Sequence, residues 1–242
     1  YTGVDAAQIQ LSEAVQKRGN HDLALSLHSE TGIETFQTTE QFDLIASVYG
    51  LEYSPLEQSL PLLKKLLAPN GQLTLLMHHA ESVITEMSVK ALTEFDFDQM
   101  KKIVTYINDI NDELNQSQGN LKALSKSPKA EAARESVNEF ISSLMNKSTA
   151  ERNPILVDFS QNVLAFFKKV RQPEQQRRDF IDGILPDFHA SKERFTQMVN
   201  VARNEKQIKT FKTQLTAAGF NNVKIDPINN EGVPVAWNVH AN

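Results

Sequence analysis

Two successive histidines, His78 and His79, close the apolar run Leu73-Thr74-Leu75-Leu76-Met77. Histidine titrates near neutrality, so either could act as a general base. Neighbouring residues on a strand point to opposite faces, so only one of the two can face a substrate. The divergence also speaks against a shared metal, and no third ligand accompanies them. The plainer role is a polar strand end. Other chemistry-bearing residues come after short apolar stretches: Asp5 after Gly3-Val4, then Gly32-Ile33-Glu34, then Ser47-Val48-Tyr49. A carboxylate at a strand end can accept hydrogen bonds from a diol; it can equally cap a following helix. Gly32 to Glu34 also reads as a surface turn, and Val48 and Tyr49 as sheet packing. Asp187 and His189 are a loosely spaced acid–base pair. Lys168, Lys169, Arg171, Arg177 and Arg178 form a basic cluster, either a solvated face or a contact for an anionic substrate or RNA backbone.

Several chemistries are excluded. The chain has no cysteine, hence no thiolate nucleophile, disulfide or Cys-type zinc site. That fits a reducing compartment, and a cytoplasmic setting is expected. No Gly-x-Ser-x-Gly elbow and no Walker-type phosphate loop occur. Thirty acidic residues against 25 basic ones give a net charge of −5, which does not suit a duplex-binding surface. No apolar run approaches the roughly 20 residues that cross a bilayer. The first residues have neither the basic start nor the apolar block of a signal peptide. The chain opens inside what reads as a strand, and a preceding segment is expected.

The elements that must position these residues fall into three stretches. Residues 1–81 alternate strands and helices: Gly3-Val4-Asp5 as a strand end, Ala6 to Arg18 as a helix, and Leu23 to Leu27 as a strand. Phe42 to Val48 reads as a strand, Leu56 to Leu67 as a helix stopped by Pro69-Asn70-Gly71, and Leu73 to Met77 as a strand. Such alternation predicts a doubly wound α/β sheet. Residues 82–204 carry helical stripes such as Met100, Ile103, Val104, Ile107, Ile110 and Leu114, or Phe159, Val163, Phe166 and Phe167. These read as bundle core, with an apolar substrate pocket as the alternative. Gln116 to Ala130 reads as a polar loop. Residues 205–242 return to a helix ending at Ala218-Gly219-Phe220. Two strands come next, around Val223 to Ile225 and Val235 to Val239, antiparallel because their link is short.

Taken in order, these segments resemble class I S-adenosylmethionine-dependent methyltransferases. Phe42-Asp43-Leu44-Ile45-Ala46-Ser47-Val48-Tyr49-Gly50-Leu51-Glu52-Tyr53 is similar to the family's fourth strand and the apolar-Glu-His loop after it. Leu66 to Leu73 resembles the helix, Pro-Gly turn and fifth strand. Leu215 to Phe220 resembles the last helix, and Val235 to Val239 stands where the antiparallel seventh strand belongs. The resemblance covers residues 1–81 and 205–242 and implies a Rossmann-like, mostly parallel sheet with an antiparallel last strand. Residues 82–204 would be a large helical insertion acting as a lid or substrate domain. It further implies that Asp5 and Ala6 meet the cofactor ribose. Gly32, Ile33 and Glu34 would meet the adenine, and Ser47, Val48 and Tyr49 the methionine portion. Tyr53 stands where many relatives have His, so no proton-handling role is expected of it. The family's glycine-rich loop and first strand are not in this sequence and should lie upstream of Tyr1.

The expected function is methyl transfer from S-adenosylmethionine, with no metal and no membrane partner. The acceptor class, whether small molecule, RNA or protein, stays open, and His78 and His79 are the candidate bases. The alternative is a non-catalytic interaction protein on a degenerate methyltransferase scaffold. A nicotinamide oxidoreductase is disfavoured by the antiparallel final strand and the Phe42 to Ser54 loop.

Overall fold

The computed structural model describes residues 1–11 and 24–242. The chain divides into two compact units, one formed by Tyr1–Glu86 with Asn200–Asn242, the other by Met87–Val199. The described helices are Leu56–Leu66 (α1), Val83–Thr93 (α2), Phe97–Gln116 (α3), Leu121–Leu124 (α4), Pro128–Met145 (α5), Pro154–Lys169 (α6), Glu174–Val201 (α7) and Glu205–Ala217 (α8). The described strands are Thr2–Val4 (β1), Ser26–His28 (β2), Phe42–Val48 (β3), Leu67–His78 (β4), Lys224–Asn230 (β5) and Val233–Ala241 (β6). All the described strands lie in the first unit, which is mixed α/β.

The strands form two sheets, β1-β2 and β3-β4-β6-β5. β1 runs parallel to β2, and β3 parallel to β4. β6 is antiparallel to both β4 and β5. Two pairings are parallel and two antiparallel, and the last strand is antiparallel as expected. Connection length accounts for part of this. Only Glu231 and Gly232 separate β5 from β6, with φ of 52° and 84°. Two consecutive positive φ values make the tight hairpin whose twist matches its strands. β3 and β4, by contrast, are joined through α1, long enough for a parallel crossover. Among the described residues, β1, β2, β3 and β5 each keep one edge without a strand partner.

α1 turns Ser59, Leu60, Leu63 and Leu66 inward at three- and four-residue steps. The helix ends at Leu66, within one residue of the expected end, but Pro69-Asn70-Gly71 form no separate turn after it. These residues lie within β4 as a bulge, where the register with β3 jumps from Phe42 opposite Leu67 to Leu44 opposite Gln72. Proline lacks the donor that a regular ladder needs, which favours an irregularity at this position. A Cβ at Gly71 would sit 2.7 Å from the Phe42 carbonyl oxygen, so the close approach requires glycine. Beyond the bulge, β4 alternates cleanly, and Leu73, Leu75 and Met77 are fully buried. They pack with Phe211, Leu215, Trp237 and Val239. α8 is fixed at its start by a reciprocal cap: the Asn204 N–H donates to Gln207 Oε1 at 2.9 Å, and the Gln207 N–H donates to Asn204 Oδ1 at 3.0 Å.

The helix expected from Ala6 to Arg18 does not begin at Ala6, and residues 6–11 are non-helical. Their backbone is tied instead to the turn after β2: the Ala7 carbonyl accepts from the Glu30 N–H at 3.1 Å, and the Ile9 N–H donates to Ser29 Oγ at 2.9 Å. The remainder of that helix, and Leu23 of the expected second strand, lie outside the described residues.

The 87–199 unit has helices and no strand among its described residues. Its core holds the expected stripes, with Ile107, Val137, Phe159, Val163 and Phe166 fully buried. The segment expected as a loop at 116–130 contains α4 and the first turn of α5. Pro128 opens that helix rather than breaking a chain, because a first-turn residue needs no intrahelical donor; Ser127 Oγ accepts from the Ala130 N–H at 3.2 Å as its cap. The basic cluster is not a uniform face. Arg177 is buried, donating to Asn111 Oδ1 at 2.7 Å, to the Gln172 carbonyl at 2.5 Å and to Asn115 Oδ1, while Arg178 pairs with Glu174 and Asp112 on the surface.

Removing a fully packed side chain from β4 tests this core. Leu75→Ala should cost about 2–5 kcal/mol, read as a lower urea midpoint by fluorescence of Trp237, the sole tryptophan.

Candidate functional site

A cavity of about 780 Å³ opens in the first unit, lined by residues of β1, the turn after β2, β3 and the loop beyond it. Its size lies within the range of small-molecule sites. All eight residues singled out for cofactor binding line it: Asp5, Ala6, Gly32, Ile33, Glu34, Ser47, Val48 and Tyr49. They come from three stretches of chain, and backbone hydrogen bonds draw the first two together. The Asp5 N–H donates to the His28 carbonyl at 3.0 Å, and the Asp5 carbonyl accepts from the Thr31 N–H at 2.9 Å. The Asp5 carboxylate is exposed, and its Oδ1 accepts from the Ala7 N–H at 2.8 Å. This is an Asx turn, so the capping role anticipated for Asp5 is met by a turn, with no helix starting there. Ile33 and Glu34 lie in a single 3-10 turn over 33–35, and the Glu34 carboxylate folds back over Gly32, where a Cβ would collide with it.

The third stretch is shaped by the end of β3. Ser47 Oγ accepts from the Leu51 N–H at 2.9 Å and closes the turn. Tyr49 lies in the left-handed region, φ 53°, with its N–H donating to the Leu76 carbonyl at 2.8 Å. A bulky residue at positive φ is strained and persists only when its surroundings fix it. Here the ring stacks on His78, with centroids 4.4 Å apart and planes 20° from parallel.

The two histidines diverge as strand alternation requires. His78 is half-buried against Tyr49 and Tyr53, and the Tyr53 hydroxyl lies 3.1 Å from His78 Nε2. Burial holds its imidazole below the ordinary value and favours the neutral form. His79 is 3% exposed. Its ring stacks on Trp237 at 4.4 Å, and its Nδ1 accepts from the Glu81 N–H at 3.0 Å. The same corner is bound by Trp237 Nε1, which donates to the Arg203 carbonyl at 2.7 Å, and by the Ala80 N–H, which donates to that carbonyl at 3.0 Å. His79 is thus committed to packing, and of the two candidate bases only His78 adjoins cavity-lining residues.

The sequence did not single out Glu52 or Arg203 as site residues. Glu52 is 4% exposed; its Oε1 accepts from the His78 N–H at 3.0 Å, and its Oε2 has no hydrogen-bond partner. Burial raises its pKa, opposed by backbone hydrogen bonds and by the Arg203 charge. Burial also lowers the pKa of Arg203, with Glu52 opposing the shift. The Arg203 guanidinium lies over the Phe211 ring at 5.2 Å, and its Nε is likewise without a partner. One signal was present: Glu52 sits between Leu51 and Tyr53 in an otherwise apolar turn. Asp187 and His189 form no pair. They are two apart on α7, where side chains do not face each other, and His189 stacks on Phe97 at 3.9 Å.

No family model matches this chain, and no curated protein is significantly similar to it. Among the described residues, no helix is long and apolar enough to cross a membrane, and no group of three or more His, Asp or Glu side chains could hold a metal ion.

The raised pKa of Glu52 has a measurable consequence. The folded chain holds that proton to higher pH than the unfolded chain. The resulting stabilisation is therefore complete below the ordinary value of 4.5 and is lost as pH rises through the raised value. Glu52→Gln keeps an acceptor for the His78 N–H and removes the ionisation. Its melting temperature should match the parent in acid and exceed it increasingly as pH rises toward neutrality, monitored by Trp237 fluorescence; parallel profiles would place the charge in a solvated setting.

Proposed function

We propose that this chain is an S-adenosylmethionine-dependent methyltransferase whose cofactor occupies the cavity between β1 and β3. The observation that carries the reading is the convergence on one cavity of the three stretches 5–6, 32–34 and 47–49. Open α/β sheets hold nucleotides beyond their strand ends. Asp5 comes directly after β1, and Val48-Tyr49 closes β3. Asp5 Oδ1 serves the Asx turn, leaving Oδ2 of an exposed carboxylate to accept from ribose hydroxyls. Ile33, Val48 and Leu51 supply apolar surface of the kind that a base and a thioether chain bury. We read β1-β2 and β3-β4-β6-β5 as two parts of a Rossmann-like sheet. β1 and β3 each have an edge without a strand partner among the described residues, and the methyltransferase fold would pair such edges with one further strand. The antiparallel β5-β6 hairpin beside β4 supports the same reading over a nicotinamide oxidoreductase.

The cofactor supplies an electrophilic sulfonium methyl when bound. The chain's own residues orient and enclose it. Asp5 fixes the ribose, Glu34 and Ile33 border the adenine side, and Ser47 to Tyr49 border the methionine side. Alignment and exclusion of water, rather than a covalent nucleophile, then carry the rate.

Titration of the chain with S-adenosylhomocysteine in a calorimeter should give saturable heat. Asp5→Ala should weaken it about tenfold or more, the loss expected for a hydrogen bond to a charged group. A response to NADH in place of S-adenosylhomocysteine would turn the reading toward hydride transfer, and silence toward both would favour a non-catalytic interaction protein.

A further inference from the structure

The contact between Tyr53 and His78 goes beyond the cofactor. We infer that Tyr53 and His78 form a proton relay that ionises a phenolic acceptor at the cavity wall. The inference rests on the methyl-transfer reading for the fate of the resulting phenolate, though the relay itself stands on the geometry of these two residues.

Tyr53 lines the cavity and is 43% exposed. Its hydroxyl reaches His78 Nε2 at 3.1 Å, and its ring meets the imidazole edge-on with centroids 6.0 Å apart. His78 is held in place from several sides. Its backbone N–H is anchored on the buried Glu52, its carbonyl accepts from the Arg203 N–H at 3.0 Å, and Tyr49 stacks on its ring. None of these anchors uses the imidazole nitrogens. The ring is thus oriented while Nε2 remains available to the Tyr53 hydroxyl, the division of roles that a base and its orienting partners require. The charged groups packed nearest are Glu52 and, beyond it, Arg203.

The step balances without another reactant. The acceptor's phenolic O–H bond breaks and its proton goes to Tyr53 Oη, while the proton already on Oη moves to His78 Nε2. The products are a phenolate, a neutral tyrosine and an imidazolium, with no change in net charge. A phenol is the acceptor class that fits. Its acidity, like that of tyrosine itself, lies about 3–4 pK units from imidazole. Burial lowers the pKa of His78 and raises that of Tyr53, which widens the gap, so the transfer depends on attraction between the new phenolate and the imidazolium. An aliphatic alcohol is far less acidic. The aromatic faces of Tyr49 and Tyr53, with Val48 beside them, offer stacking surface for a ring.

The test uses 4-nitrophenol, whose ionised form absorbs apart from the neutral phenol, at a pH below its solution pKa and in the presence of S-adenosylhomocysteine. With the parent chain, the bound fraction should be ionised about tenfold more than free phenol, equivalent to about one pKa unit. The 15N signal of His78 Nε2 should shift to the imidazolium position at the same time. Tyr53→Phe should bind the probe without ionising it. His78→Gln should abolish ionisation while retaining the Trp237 emission of the folded chain, since its backbone anchor on Glu52 is untouched. Failure to bind, bound nitrophenol that stays neutral, or full ionisation by Tyr53→Phe would overturn the relay. Heat from S-adenosylhomocysteine without nitrophenolate would remove the relay alone. Nitrophenolate without that heat would remove the methyl-transfer reading alone.

Discussion

Side-chain alternation along β4 is the constraint on which the site depends. β4 is paired on both edges, to β3 and to β6, and cannot rotate about its axis without breaking both ladders. Leu73, Leu75 and Met77 are driven into the core by burial, and the two-residue period then sets the direction of both histidines. His79 continues the inward set and packs on Trp237, while His78 is delivered to the opposite face beside Tyr49 and Tyr53. A shift of one residue in the pairing would exchange the two rings. The bulge at Pro69-Asn70-Gly71 matters for the same reason: it takes up the extra residues before Gln72, so that the alternation beyond it is regular through His78.

The loop after β3 is fixed from two directions. Tyr49 leaves the strand in a left-handed conformation, at a cost of order 1–3 kcal/mol, held by its hydrogen bond to Leu76 and its stacking on His78. Glu52 enters from the same loop and is buried with one oxygen satisfied. A half-satisfied buried carboxylate is destabilising, and the nearby Arg203 charge offsets only part of that cost, since Glu52 Oε2 and Arg203 Nε are both without a hydrogen-bond partner. Local stability is thus given up for a defined arrangement at the strand ends, a pattern associated with functional sites more than with packing.

Much of this architecture could be read from the residues in order. Phe42 to Val48 was legible as a strand because its composition and boundaries agree. The stripes of the 87–199 unit were legible because apolar residues at three- and four-residue steps share one face of a helix and no face of a strand. Histidine divergence came from strand periodicity alone. Punctuation misled where a tertiary setting absorbed it: Pro69 and Gly71 serve a bulge, and Pro128 opens a helix. Arg177 was hidden because one-dimensional charge clusters do not reveal which member finds Asn111 and Asn115, 66 and 62 residues away. The Tyr53–His78 contact was hidden likewise, since 25 residues separate its partners and only the β3–β4 register brings them together.

The flanks of β1, β2, β3 and β5 that lack a strand partner among the described residues carry a consequence for the chain in solution. An unmatched strand edge presents a row of amide donors and carbonyl acceptors that any extended polypeptide can zip onto. On β3, Leu44 and Val48 add exposed apolar side chains, at 58% and 67% accessibility, and Asp43 is the strand's one charge to deter such zipping. β1 and β2, at three residues each, offer little purchase, and Lys224 and Pro227 break up the open edge of β5, so β3 is the flank most open to an added strand. That seven-residue strand can accept a further strand of the same polypeptide or, failing one, an extended segment of another.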